Sequence, residues 1–232
     1  MTVRLVVNAD DFGMSPGVNR GIIEAHERGI VTSASLMVRW PDAPDAARMA
    51  ADFPDLGLGL HIDLGEWIWQ AEERVALYEV VNPRHRQAVE AEVRKQLDQF
   101  RDMVGRDPTH LDAHQHVHRR QPVRSIAQSL SAELDVPLRM YHPSITFCPR
   151  FYGQVHHGSP AHHRIGVPHL SRVLRSLPDG THELMCHPGY GEGLATPYRD
   201  ERIIELRTLT DPAIREIAAS LELTSFAPFA AG

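Results

Sequence analysis

Two aspartates close the first apolar run of the sequence, Val3 to Asn8, in Asn8-Ala9-Asp10-Asp11-Phe12-Gly13. Adjacent carboxylates held away from water repel each other unless a cation or a shared proton compensates, so the pair suits a metal site or acid–base work. The same pair in a loop also serves as an ordinary helix-capping turn. A second candidate is His61 in Gly-Leu-His-Ile-Asp-Leu-Gly, at the expected end of a strand, with Asp63 on the same face by the two-residue strand period. A lone histidine at such a place is commonly a satisfied, partly buried residue, so His61 calls for partners.

The densest candidate is His110-Leu-Asp112-Ala-His114-Gln-His116-Val-His118, with five metal-competent side chains at alternate positions. An extended segment aims all five to one side. A catalytic ion accepts about three protein ligands besides water, which leaves His116 and His118 to support ligands, face substrate or stand in solvent. The fourth candidate is His187 in Glu183-Leu-Met-Cys-His187-Pro-Gly, where a strand meets a turn. Imidazole titrates near neutrality, which suits His187 to general-acid work.

These residues need a frame that gathers strand ends. Val3–Asn8 is a short β-branched run, and Ser15-Pro16 then starts a helix that Gly29 ends. The alternation continues with strand Val31–Val38, helix Ala43–Ala51, strand Gly57–Leu64, a long helix over Ala88–Val104 and strand Thr109–His114. Helix Val123–Leu134, short strand Pro137–Met140, helix Leu170–Leu177 and strand His182–His187 follow, then helix Asp211–Leu221 and strand Leu223–Phe226. About seven βα units predict an α/β fold close to a barrel, whose active groups collect at the C-terminal strand ends. Glu66–Arg84 and Tyr141–Pro168 lack clear periodicity and are expected to be long functional loops. Trp67, Trp69 and Tyr78 in the first of them either stack on the ring of a bound ligand or pin the loop to the barrel.

With 232 residues, 42% apolar, the chain can bury one core, and a single domain over residues 1–232 is expected. A formal net charge of −6 with interspersed bases disfavours nucleic acid as a partner, and 15 histidines invite a metal reading. No apolar run reaches membrane-spanning length, and the N-terminus reads as a strand rather than a leader, so a cytoplasmic location is expected. Cys148 and Cys186 read as buried thiols rather than ligands.

Taken in order, NADDFG, GLHIDLG, THLDAHQHVH and ELMCHPGY resemble the YdjC-like carbohydrate deacetylases, a family that includes chitooligosaccharide deacetylases and a hopanoid-pathway branch. The resemblance spans nearly the whole chain. It implies a deformed (β/α) barrel related to the polysaccharide deacetylases, with Asp11, His61 and His114 as metal ligands. It also implies that Asp10 is the catalytic base, His187 the general acid and Arg139 the residue that orients Asp10. The expected cofactor is one divalent ion. Two imidazoles and a carboxylate suit Zn²⁺, and Mg²⁺ stays open because availability also decides occupancy. The implied substrate is an N-acetylated sugar, with monomer and homodimer both open. A barrel metallohydrolase of another amide, ester or phosphoester is the competing enzyme. A catalytically silent sugar-binding barrel has no need for Asp10 and His187 together.

Overall fold

A computed structural model describes residues 2–192 and 194–229. Strand β1 (Val3–Phe12) leads into α1 (Pro16–Glu27), whose N-terminus is capped by the Ser15 hydroxyl accepting from the Val18 amide at 3.2 Å. Strand β2 (Ser33–Leu36), α2 (Ala43–Ala51) and β3 (Gly57–Ile62) continue the alternation. After α3 (Arg86–Val104) come β6 (Leu111–Ala113) and α4 (Val123–Leu134). The second half holds β7 (Ile145–Cys148), α5 (Val167–Arg175), β8 (Gly180–Cys186), α6 (Arg199–Leu209), α7 (Pro212–Ala218) and β9 (Glu222–Leu223).

Among the described residues these strands form one seven-stranded parallel sheet in the order β6-β3-β2-β1-β8-β7, with β9 beside β1. The sheet curls into a half-barrel. Segment 137–140 adds only a single bridge, Leu138 to Leu111, and is not a strand. The opening between that segment and β7 is spanned by Arg139, whose guanidinium carbon lies 5.7 Å over the Phe147 ring.

Strand parity decides what faces inward. The register places Asn8 and Asp10 on the side of Ser33, Ser35, His61, Asp112 and Glu183, so the upper interior is a polar layer. Beneath it Phe226, just after β9, packs with Val6 and Ile145 as a small apolar floor. The fully buried glycine-lined space beside β3 holds His110, since a Cβ on Gly59 would come within 2.4 Å of that ring. The helices bury their apolar faces on the outside of the sheet in one continuous core.

Two expected loops carry regular structure. The stretch 66–84 contains most of an antiparallel hairpin, β4 (Gly65–Gln70) with β5 (Glu73–Glu79), which joins no strand of the main sheet. The stretch 141–168 contains β7, paired in parallel with β8. Helix α6 lies between the expected strand His182–His187 and the expected helix Asp211–Leu221, where no element was expected. Cys148 and Cys186 are buried and free.

Candidate active site

Asp10 and Asp11 reach one cavity because β1 is bulged at this point. Its register with β2 slips between Ala9 and Phe12, and Asp11 takes a left-handed φ of 70°. A bulge re-aims a side chain that strict alternation would send to the opposite face. Asp10, Asp11, His61, His114 and His187 all line the cavity, which has a volume of about 620 Å³. That size accommodates a small sugar.

One oxygen of Asp11 faces both imidazoles, at 3.4 Å from His61 Nε2 and 3.1 Å from His114 Nδ1. Its other oxygen accepts from Arg202 at 2.6 Å. Asp11, His61 and His114 offer donor atoms within 4.8 Å of one another. His61 is held on its far side as well, its Nδ1 donating to Asp112 at 2.7 Å, and a second carboxylate, Glu66, faces His114 Nε2 across 3.6 Å. Such outer carboxylates fix the tautomer and orientation of metal-binding imidazoles. A divalent cation fits this donor set. Asp10, His61 and Asp112 also converge, but Arg139 already occupies both of those carboxylates, so that triplet suits a cation poorly.

The electrostatics agree. Burial alone would lower the His61 and His114 imidazoles, yet the carboxylates of Asp112 and Asp11 outweigh it, raising His61 well above its usual range and His114 to about 9. A niche that draws a proton this strongly also favours a metal cation. Asp112→Asn should therefore weaken metal affinity by about 10–100-fold, because it removes the acceptor that sets the His61 tautomer. Titration of the metal-free variant checks this, and unchanged affinity would remove Asp112 from that role.

Arg139 is wholly buried behind the cavity. It donates to both oxygens of Asp10 at 2.6 and 2.7 Å, and also contacts Asp112 at 2.8 Å and Glu183 at 2.5 Å. Burial would raise the Asp10 carboxyl, but the guanidinium prevails and holds it below the usual range. Glu183 shows the opposite balance, with burial pushing it up to about 7 despite Arg139. His187 sits with Nε2 3.9 Å from Asp10 and Nδ1 3.9 Å from Glu205. Its backbone N–H donates to Glu205, which also accepts from the Tyr198 hydroxyl.

Other candidates lie elsewhere. Asp63 is engaged by the Gly65 amide, the Tyr78 hydroxyl and Arg39, and stands outside the triplet. The alternation predicted through His118 ends at Ala113, because the chain turns sharply with φ of 49° at Gln115 and 53° at His116. His110 is a neutral core residue, lowered to about 3 by burial and stacked on Phe226 at 4.0 Å. His116 still lines the cavity, whereas His118 is buried beside Tyr141. Trp67 and Trp69 line the cavity, but Tyr78 packs on Trp40. Sequence reasoning missed Arg202 and Glu205, both fully buried on α6, and Glu66 on the hairpin.

A curled parallel sheet with a buried two-histidine, one-aspartate cluster at its strand ends defines a barrel hydrolase class with a candidate metal site. The profile of the YdjC-like protein family matches residues 4–220, and the chain belongs to that family. It is 34% identical over 230 residues to a carbohydrate deacetylase of Geobacillus stearothermophilus, covering 90% of each chain. It is 29% identical to a chitooligosaccharide deacetylase of Serratia marcescens, covering 93% of this chain and 94% of that one. Among solved structures, a protein of Enterococcus faecalis named for cellobiose-phosphate cleavage superposes over 100% of both chains with a TM-score of 0.77 and 24% identity. A family 4 carbohydrate esterase of Streptomyces lividans superposes with a TM-score of 0.57 and 11% identity, over 96% of this chain and 91% of that one. These two likenesses concern the fold, which is that of the polysaccharide deacetylases. Among the described residues no helix is long and apolar enough to cross a membrane.

Proposed function

We propose that this chain removes an acetyl group from an N-acetylated sugar, with Asp11, His61 and His114 holding one divalent ion. The observation that carries the reading is the placement of Asp10 and His187 on one cavity wall, 3.9 Å apart, beside the three clustered donors. The names of the relatives supply the carbohydrate and the acetyl group. A bound divalent cation supplies Lewis acidity, which polarises the amide carbonyl and acidifies water.

Asp10 takes the proton of the attacking water. Arg139 holds this carboxyl below the usual range, so it is ionised and open to a proton at neutral pH. Arg139 keeps that carboxylate in place through two parallel hydrogen bonds. As the carbon–nitrogen bond breaks, His187 delivers a proton to the sugar nitrogen, and acetate departs. Glu205 anchors His187 through its backbone amide, so the ring enters the cavity from a fixed point. Zn²⁺ is the ion best suited to the donors, and Mg²⁺ the alternative.

Acetate release from a panel of N-acetylated sugars, with and without chelator, tests the proposal. The expected result is release that chelation abolishes and an added divalent ion restores. Activity on a phosphoester with no acetate from any sugar would replace the reading with the competing one. Substituting Trp67 and Trp69 together by Ala should change preference among the sugars more than metal affinity, since the proposed ligands belong to β1, β3 and the turn after β6 rather than to the hairpin. Equal loss on every sugar together with loss of metal would refute this division.

A further inference from the structure

His114 directly follows the three-residue strand β6 and begins a turn in which Gln115 and His116 both adopt left-handed backbone. For non-glycine residues that conformation persists only where the surroundings hold it. Here the hairpin provides the hold. The Gln115 side chain accepts from the Trp67 amide at 3.1 Å and from Arg74 at 3.0 Å, and donates to the Trp67 carbonyl at 2.9 Å. The preceding hairpin residue, Glu66, is 3% exposed and points its carboxylate at His114 Nε2 from 3.6 Å. Its second oxygen accepts from the Thr196 hydroxyl at 3.1 Å. The hairpin thus bonds Gln115 directly through the Trp67 backbone, while the neighbouring Glu66 sets a carboxylate opposite His114 at ion-pair distance.

Among the described residues the hairpin is otherwise tied only through side chains, Tyr78 donating to Asp63 at 3.0 Å and packing on Trp40, and Trp69 lying 4.1 Å from the His157 ring. It is two-stranded and unpaired with the main sheet, and an isolated pair of strands is marginal in water. Its residues Trp67, Ile68 and Trp69 form part of the cavity wall. We propose that Glu66 and Gln115 are positioning residues that join this wall to His114, so that the metal and the sugar bind cooperatively. A cation that fixes His114 favours the docked hairpin, and a sugar resting on Trp67 favours the same arrangement. Each ligand thus stabilises a state the other prefers, and the coupling is reciprocal. The sugar half of this inference rests on the proposed function, whereas the link between hairpin and ligand does not.

Hydrogen–deuterium exchange of the full chain, chelated and then saturated with Zn²⁺ alone, tests the link. Zinc should slow exchange of the amides in residues 65–79 by about 5-fold or more in the unaltered chain. In Gln115→Ala and Glu66→Gln, with zinc occupancy verified by metal analysis, the slowing should shrink to less than about 2-fold. Equal protection in the variants, or none in the unaltered chain, overturns the proposal. The sugar arm measures zinc affinity in a His187→Ala background, with and without diacetylchitobiose. Affinity should tighten about 5-fold with the sugar, and Gln115→Ala should remove that gain. Zinc protection of the hairpin without acetate release from any N-acetylated sugar would sustain the link and discard the sugar reading. Acetate release without zinc protection would do the reverse.

Discussion

Asp10→Asn should lower kcat by about 10²–10⁴ while KM changes little and the metal stays bound. The amide keeps the shape of the carboxylate and can still accept from Arg139, but it no longer takes a proton. Asp11→Asn, one residue away, should behave differently, with weaker metal binding and partial rescue by excess ion. The bulge in β1 makes the contrast possible, because it gives the neighbours separate partners: Arg139 and Asn8 for Asp10, Arg202 and two imidazoles for Asp11. Metal content and steady-state rates of both variants decide the matter. Should Asp10→Asn lose its metal as readily as Asp11→Asn and recover full rate in excess ion, Asp10 is a ligand and the base lies elsewhere.

Arg139→Met should destabilise the metal-free protein by about 3–5 kcal/mol near neutral pH, the usual result of stripping the cation from a buried ionic cluster. Asp10, Asp112 and Glu183 would then share the interior without their guanidinium. The pH dependence has a definite sign. Asp10 and Asp112 are held below their ordinary range in the native protein. Their contribution is therefore present above the unfolded carboxylate pKa and is lost as pH falls through the lowered native values. In the variant the same carboxylates are buried without that cation and favour protonation, so its deficit should shrink on acidification from pH 7 to about 5. Urea midpoints of the chelated proteins at both pH values measure it. A deficit below about 1 kcal/mol, or one independent of pH, would mean that Arg139 is not the main counterion of the cluster.

Much of the frame was legible because its central strands are short runs buried on both faces and its helices repeat at the helical period. β1, β3, β8 and the helices α1 to α5 show clean burial patterns, and the five cavity-lining residues sit where their strands end. The missed elements lack the usual local signals. The hairpin turns at Ala71 and Glu72, with φ of 48° and 66°, where Asn, Asp or Gly would ordinarily announce the turn. Helix α6 has no side-chain cap, and it buries Glu201, Arg202 and Glu205, so its inner face reads as polar. Arg202 and Glu205 bond Asp11 and the His187 amide instead of packing apolar surface, which is why hydrophobic periodicity could not find them. The five alternating residues from His110 to His118 misled in the opposite direction. Period two holds only while the strand lasts, and the turn after His114 breaks it.

The place of β1 in the sheet also bears on how the chain is made. Its residues Val3 to Ala9 are matched along one edge by Gly180 to Cys186, and Arg4 and Leu5 also pair with β9. During synthesis at about 5–20 residues per second, that edge lacks its neighbour for about 10–35 s. An unpaired strand rich in Leu and Val is a template for association with other chains. Asp10 and Asp11 place negative charge at the end of this edge for the whole interval. Charge at the end of an unpaired edge is among the features by which natural sheets resist pairing with a wrong partner.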